Sequence, residues 1–287
     1  MLTVSVMITT KDRAEDLRRT CRVLAKLDPP PLEVLITADG CTDHTLDIIA
    51  NELPGARLIV NATGMGSVAS RDRMMREARG DLVLALDDDS YPEQADCLAR
   101  LARLFTERPS LAIATFPQRT DEYPASLERA DFGPIRPVRS FPNSGACLRV
   151  AVYRGLAGFE PMFFHMYEEP DYALQCIGSG WDLFYFPEVV IRHHYSGATR
   201  SELRNHHRHA RNEFWSTLMR CPFPQALLFL AYRVCSQARY AASRGAGWLA
   251  REPLWWWQAL KGVPAALNRR RPVSWPGYLR WLRTPNP

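Results

Sequence analysis

The chain has 287 residues, 46% of them hydrophobic and 23% charged, which suits one large globular unit with an appendage and excludes a disordered or fibrous chain. Its seven cysteines are scattered with no C-x-x-C pair, which argues against a zinc module or disulfide scaffold and for reduced thiols in the cytoplasm. The net charge of +5 is uneven: residues 200–287 carry 15 Lys+Arg and 3 Asp+Glu, a net of +12, while residues 1–199 carry 21 and 28, a net of −7, so the two parts should meet different partners.

Residues 2–9 read as a buried strand and lack the basic start and cleavage site of a signal peptide. The longest uncharged stretch, 221–232, has 12 residues and two prolines, short of the roughly 20 a membrane-spanning helix needs. A helix is expected over 15–27, where Leu17, Cys21, Leu24 and Leu27 recur at helical spacing, and Asp28-Pro29-Pro30-Pro31 stops it. A second strand follows at 32–37. Asp43 is placed to cap a short helix at 45–53. Residues 56–60 form a third strand, 61–67 a Gly-rich loop and 68–78 a helix. Strands alternating with helices predict a mostly parallel sheet, and the lack of a Gly-x-Gly-x-x-Gly after the first strand disfavours a dinucleotide fold.

The stretch Asp81 to Ser90 organises the chain. Leu82, Val83, Leu84, Ala85 and Leu86 are continuously apolar, as in a strand buried on both faces, and end in Asp87-Asp88-Asp89. Ser90 with Glu93 reads as a capping box that starts a helix over 93–107, leaving the carboxylates in the turn at the strand's carboxyl end, where open α/β sheets bind ligands. Three adjacent carboxylates repel one another, and a divalent cation is the natural compensator. Alternate residues Asp87 and Asp89 lean the same way in an extended backbone. The other reading is a solvated acidic turn.

Residues 111–116 form a further strand, and 118–139 a long polar loop of the kind that carries function. Residues 141–148 read as a strand with a tight glycine, 150–156 as a short helix, and Glu168-Glu169-Pro170-Asp171 as the first turn of another helix. Short strands are expected at 182–186 and 189–194.

The order of these pieces over residues 3–200 resembles the family 2 glycosyltransferases. The matching segments are the first strand with Lys11-Asp12-Arg13, Asp39-Gly40-Cys41-Thr42-Asp43, Asn61 to Gly66 with Arg71-Asp72, Asp87-Asp88-Asp89 as a D-x-D motif, Gly158-Phe159-Glu160 with Glu168-Glu169-Pro170-Asp171, and Pro187 with His193. The resemblance implies a GT-A fold, a Rossmann-like mostly parallel α/β sheet flanked by helices, over 1–200. Residues 1–116 would be its nucleotide-sugar half and 117–200 its acceptor half, with a basic, Trp-rich helical appendage over 201–287.

What the resemblance implies for chemistry is an inverting, metal-dependent transfer from a nucleotide-diphosphate sugar to a glycan or lipid-linked acceptor. Asp39 would contact the base beside Thr9, Thr10 and Gly66, Arg71 would face the diphosphate, and Asp87 and Asp88 would line the donor. Asp89 and Asp87, with His193 or His194, would hold Mg²⁺ or Mn²⁺. Glu169 would be the base that takes the acceptor proton, with Asp171 as the alternative. The family usually has Asp at position 169, and Ala38, Cys41 and Asp72 depart from its pattern too, which leaves the nucleobase unread.

The segment from Arg204 to Trp215 resembles the R-N-containing helix that follows the family's core. Beyond it, Trp248, Trp255-Trp256-Trp257, Arg269-Arg270-Arg271, Trp275 and Trp281 interleave cations with aromatic residues. Such a pattern fits either a helix lying on an anionic membrane or tryptophans packed on the catalytic domain. Nucleic acid is not expected as a partner, because no recognition module accompanies the basic stretch. The expected setting is the cytoplasm, peripheral to the inner face of the plasma membrane, in surface polysaccharide or glycolipid synthesis. A sugar-phosphate nucleotidyltransferase would need a Gly-rich loop after the first strand, which Thr10 to Arg13 do not provide. An inactive nucleotide-sugar-binding module is the remaining alternative.

Overall fold

The structure is a computed structural model that describes residues 2–195 and 201–286. Its first half alternates strand and helix: β1 (Val4–Thr10), α1 (Ala14–Leu24), β2 (Glu33–Asp39), α2 (Thr45–Glu52), β3 (Arg57–Asn61), α3 (Ser67–Glu77) and β4 (Leu82–Asp87). Then come β5 (Ser90–Pro92), α4 (Cys97–Glu107), β6 (Leu111–Thr115), β7 (Gln118–Thr120), β8 (Arg136–Pro137), β9 (Ala146–Arg149), α5 (Val150–Gly155), α6 (Glu168–Gly178), β10 (Asp182–Tyr185) and β11 (Ile191–His193). Five helices follow the 196–200 segment: α7 (Glu202–Arg220), α8 (Gln225–Ser243), α9 (Ala246–Leu249), α10 (Glu252–Asn268) and α11 (Trp275–Arg283). The expected boundary at residue 200 lies outside the described residues.

The main sheet has the order β3-β2-β1-β4-β9-β6-β10-β8. Pairing is parallel through β3, β2, β1 and β4 and between β6 and β10, whereas β9 and the edge strand β8 run antiparallel to their neighbours. Alternate residues of the central strands feed two cores: Met7, Leu35, Val83 and Ala85 on one face, Val6, Ile8, Ile36, Leu84 and Leu86 on the other. The chain proceeds to β2 on one side of β1 and to β4 on the other, and the crevice at the strands' carboxyl ends is the place where such sheets bind ligands.

Two local expectations fail for the same reason. Ser90 caps no helix: its hydroxyl accepts from the Asp87 amide at 2.8 Å, and Ser90–Pro92 pairs antiparallel with β11, so α4 begins only at Cys97. Pairing in the small sheet β5-β11-β7 satisfies backbone groups that a helix start would otherwise have claimed. Likewise the 118–139 stretch is not a bare loop, since it contributes β7 to that sheet and β8 to the main one.

The helices after residue 200 are packed on the half of the chain that carries the main sheet. Trp215, Leu218, Met219, Tyr278 and Trp281 share one apolar core with Val83, Tyr172 and Leu174. Trp255 is also buried, while Trp257 is exposed. Among the described residues no helix is long and apolar enough to cross a membrane.

Candidate active site

The three carboxylates after β4 are held apart by arginines. Arg13 reaches back from the loop after β1 and meets Asp88 at 3.2 Å and Asp89 at 2.6 Å, while Arg71 on α3 pairs with Asp87 and, at 3.0 Å, with Glu168. Charge compensation in this turn therefore comes first from the protein itself. Burial pushes Asp88 up to about 8 with Arg13 opposing, whereas Asp89, although burial works against it, is held below the usual carboxylate range by His193 and Arg13. One Asp89 oxygen serves Arg13, and the other lies 3.3 Å from His193 Nε2.

Asp87, Asp89 and His193 bring three donor atoms within 4.8 Å of one another. Two hard carboxylate oxygens and an imidazole nitrogen fit Mn²⁺ and, with a weaker nitrogen bond, Mg²⁺. β5 and β11 create this meeting by pairing His193 opposite Ser90. His194 does not join it: its Nε2 lies 2.9 Å from the Tyr91 hydroxyl and its Nδ1 3.6 Å from Asp121, because successive strand residues face opposite ways. A second acidic group, Asp12, Cys41 and Asp43, is occupied with loop geometry, its carboxylates accepting from the amides of Thr42, Asp43, Thr45 and Ala14.

A cavity of about 720 Å³ opens over this turn, walled by Thr9, Arg13, Arg71, Asp87, Asp88, Asn143, Glu168, Glu169 and His193 among others. Three residues expected at the donor sit behind the wall. Asp39 is buried and accepts from the amides of Met65 and Gly66 and from Asn61 Nδ2 at 2.7–2.8 Å, so it shapes the Gly-rich loop. Gly66 has φ +92° and a Cβ there would stand 2.4 Å from the Phe164 carbonyl, which makes it the contact between that loop and the opposite wall. Thr10 is buried beside them, its carbonyl taking the Cys41 thiol at 3.6 Å.

The opposite wall is strained. Phe164, Met166 and Tyr167 all have positive φ, 65°, 76° and 74°, immediately before Glu168 and Glu169. Asn212 of α7 holds that loop: its buried side-chain amide donates to the carbonyls of Phe163, His165 and Met166 at 3.1, 3.0 and 2.8 Å. Glu169 is half-buried at the cavity wall and accepts from the Asn143 amide at 3.4 Å. Desolvation, reinforced by the Glu168 charge and opposed by Arg71, pushes Glu169 up to about 8. Asp171 is not a second base at the cavity. It is fully buried, accepting from Arg220 at 3.1 Å, Ser216 at 2.7 Å and Gln175 at 2.7 Å, and it fastens α7 to α6.

Sequence reasoning missed Arg13, Asn143 and the α7 residues Arg204 and Arg208 at the cavity mouth. Arg13 was legible in the Lys11-Asp12-Arg13 loop. The α7 arginines were read as part of a separate basic region, and only tertiary packing brings them to the site.

The chain matches the model for "Glycosyl transferase family 2" over residues 5–144 and that for "Glycosyl transferase family group 2" over residues 82–269. No curated protein matches the sequence significantly. Among solved structures it resembles GalNAc-T7 with UDP, GalNAc and Mn²⁺, at TM-score 0.63 and 12% identity over 78% of this chain, which spans only 49% of that protein. It also resembles the mannosyltransferase PcManGT from Pyrobaculum calidifontis in complex with GDP-Man and Mn²⁺, at TM-score 0.60 and 16% identity over 98% of this chain and 86% of that one. TarS 1–349 from S. aureus in complex with UDP-GlcNAc aligns at TM-score 0.61 and 17% identity over 93% of this chain and 82% of that one. These likenesses identify the large mixed sheet with its flanking helices as the GT-A type of fold. With the second family model spanning well over half of its length, the chain belongs to glycosyl transferase family group 2.

Proposed function

We propose that the protein is an inverting, metal-dependent glycosyltransferase that moves a sugar from a nucleotide-diphosphate sugar to a glycan or lipid-linked acceptor. The observation that carries this reading is that the Asp87/Asp89/His193 donor cluster and the half-buried Glu169 meet at one cavity, whose wall holds Asp87, His193 and Glu169. In an inverting transfer the acceptor hydroxyl attacks the anomeric carbon from the side away from the leaving diphosphate, so the base and the diphosphate-binding group belong on facing walls.

In this reading Asp87, Asp89 and His193 hold a divalent cation, which supplies charge stabilisation for the departing diphosphate. Thr9 and Arg13 line the donor side, while Asp39 and Gly66 support the base pocket through the Gly-rich loop. Glu169 accepts the proton of the attacking hydroxyl. Its raised pKa suits a base working near neutral pH, because a carboxylate of ordinary pKa would be a weak acceptor there. Arg71 holds Asp87 and Glu168 at once, tying the two walls to one distance. The ligands of GalNAc-T7, PcManGT and TarS support a nucleotide-sugar donor and Mn²⁺ as the first metal to try. The cytoplasmic face of a membrane, in surface polysaccharide or glycolipid synthesis, is the setting that the basic C-terminal helices favour.

The test is release of nucleoside diphosphate from a panel of UDP-, GDP- and dTDP-sugars with Mn²⁺, Mg²⁺ or EDTA. Wild type is expected to release one of them only with metal, and Asp89→Ala and Glu169→Gln to lose that activity. Failure to bind any nucleotide sugar would overturn the reading.

A further inference from the structure

The catalytic cavity does not end at α7. Ser201, Arg204 and Arg208 line it and also line a second cavity of about 550 Å³ between α7 and the start of α10. Its walls carry Arg204, Arg208 and Arg211 at positions i, i+4 and i+7 of α7, so they form one stripe, with His207 beside them and Arg251 and Leu254 opposite. The stripe is about 10 Å long at 1.5 Å per residue, long enough for a phosphate or diphosphate to lie along it.

Among the described residues, this cleft has four guanidinium groups and no acidic residue in its lining. Among the described residues no carboxylate oxygen lies within 4.0 Å of any of the four. Glu252, which follows Arg251 in the chain, is fully buried and turned inward onto His206 and Trp255, with His207 at 4.0 Å. Elsewhere the protein pairs its site arginines with acids, as Arg13, Arg71 and Arg220 each demonstrate. Here the guanidiniums face one another uncompensated, and burial and their mutual repulsion lower the pKa of Arg208 and of Arg211. Arg211 is fixed by its bonds to the Phe163 carbonyl and Gln258 and lies 4.7 Å over the Trp215 ring, so the charge is pre-organised. Guanidiniums without acid partners in a concave site, one of them held in place, are suited to recognition of phosphate.

We propose that the α7–α10 cleft is a phosphate-binding subsite for the acceptor: it takes the phosphate or diphosphate that precedes the acceptor sugar and presents that sugar to Glu169. This deepens the function proposed above and rests on it. A lipid carrier and a phosphate-containing polymer offer the same chemistry. Leu254, 59% exposed, stands at the cleft and begins an exposed apolar row with Trp257 and Leu260, which an isoprenoid chain would follow.

The test is calorimetric titration of the full chain, in EDTA, with inorganic pyrophosphate, geranyl diphosphate and geraniol. It uses wild type, Arg251→Gln and Arg251→Glu. Arg251 is exposed at the cleft and, among the described residues, its side chain makes no hydrogen bond or ion pair, so these variants should fold. The expected result is pyrophosphate binding that weakens roughly tenfold in Arg251→Gln and further in Arg251→Glu. It should persist in the presence of saturating nucleoside diphosphate, and donor hydrolysis by both variants should stay within about twofold of wild type. Geranyl diphosphate binding tighter than pyrophosphate assigns a lipid carrier, and equal binding a polymer phosphate. Equal binding by wild type and both variants, or displacement by nucleoside diphosphate, overturns the proposal. If no donor turns over yet Arg251-dependent binding remains, the anion site stands and the glycosyl-transfer reading is what fails.

Discussion

Glu169 carries the sharpest residue-scale consequence, because the environment that suits it to the proposed role of base also costs stability. Its pKa is raised in the folded state, so the unfolded chain releases this proton more readily, and the penalty grows as pH climbs from the ordinary glutamate value near 4 towards 8. Glu169→Gln should therefore abolish transfer while leaving the melting temperature at pH 7.5 unchanged or higher. A clear drop in melting temperature together with residual transfer would contradict both roles. The same sign sets the pH profile: kcat/KM should rise through the neutral range to a limb nearer pH 8 than pH 4, and a profile already flat from pH 5 would remove Glu169 as the base. Asn212 is the second case. Its one amide serves three carbonyls of a loop with three positive-φ residues, and that loop leads into Glu168 and Glu169. Asn212→Ala should cost about 1–3 kcal/mol, from the loss of its bonds to the His165 and Met166 carbonyls, and lower kcat about 10²-fold by misplacing the proposed base. Chemical denaturation and steady-state rates measure the two effects separately, and an unchanged kcat would deny the loop its positioning role.

At the scale of elements, α6 and α7 are joined by a wholly buried ion pair, Asp171 with Arg220, supported by Ser216 and Gln175. Removing one partner leaves the other charge buried, so Asp171→Asn should lose about 3–5 kcal/mol, and folding should be restored in part by Asp171→Asn with Arg220→Met. A loss below about 1 kcal/mol in the single variant would mean that water reaches the pair. This residue also marks the limit of what the sequence could tell. β1, β2 and β4 were legible because continuous apolar runs admit few other readings, and the triple carboxylate was legible because it ends one of them. Glu169 and Asp171 were both plausible bases by motif, and only the helix direction decides that one faces the cavity and the other faces α7. Asp39 was expected at the nucleobase because Asp39-Gly40-Cys41-Thr42-Asp43 resembles the family's segment there, and in this structure its carboxylate accepts from three donors of the Gly-rich loop. The Ser90 and Glu93 pattern has the spacing of a cap, but long-range pairing with β11 overrides local preference, and that pairing is what delivers His193 to Asp89.

For the whole molecule, the charge division suggested two parts, whereas the packing makes one. Trp281 of α11 is buried in the same core as Val83 of β4, and its indole N–H donates to the Arg139 carbonyl at 3.0 Å. Arg139 in turn lies 5.6 Å over the Trp281 ring, and Arg280 pairs with Asp182 of β10 at 2.7 Å. The basic, Trp-rich segment thus turns aromatic residues inward to cover α6 and the edge of the sheet, and of its cations buries Arg220 against Asp171. Such an arrangement should unfold in a single cooperative transition seen alike by calorimetry and by far-UV circular dichroism, while two separated transitions would restore the two-part picture. The same packing fixes what a single cut in the cover would do. Trp281→Ala removes a large buried side chain and strands the Arg139 carbonyl, at a cost of about 3–5 kcal/mol, which for a chain of this length lowers the melting temperature by roughly 5–15 °C. Because α11 lies against α6 and α6 begins with Glu168 and Glu169, catalytic activity in that variant should fail at a correspondingly lower temperature. Its rate well below the transition should stay near wild type. If the rate were lost at every temperature while the melting temperature held, α11 would be acting on the site directly instead of through the stability of its support.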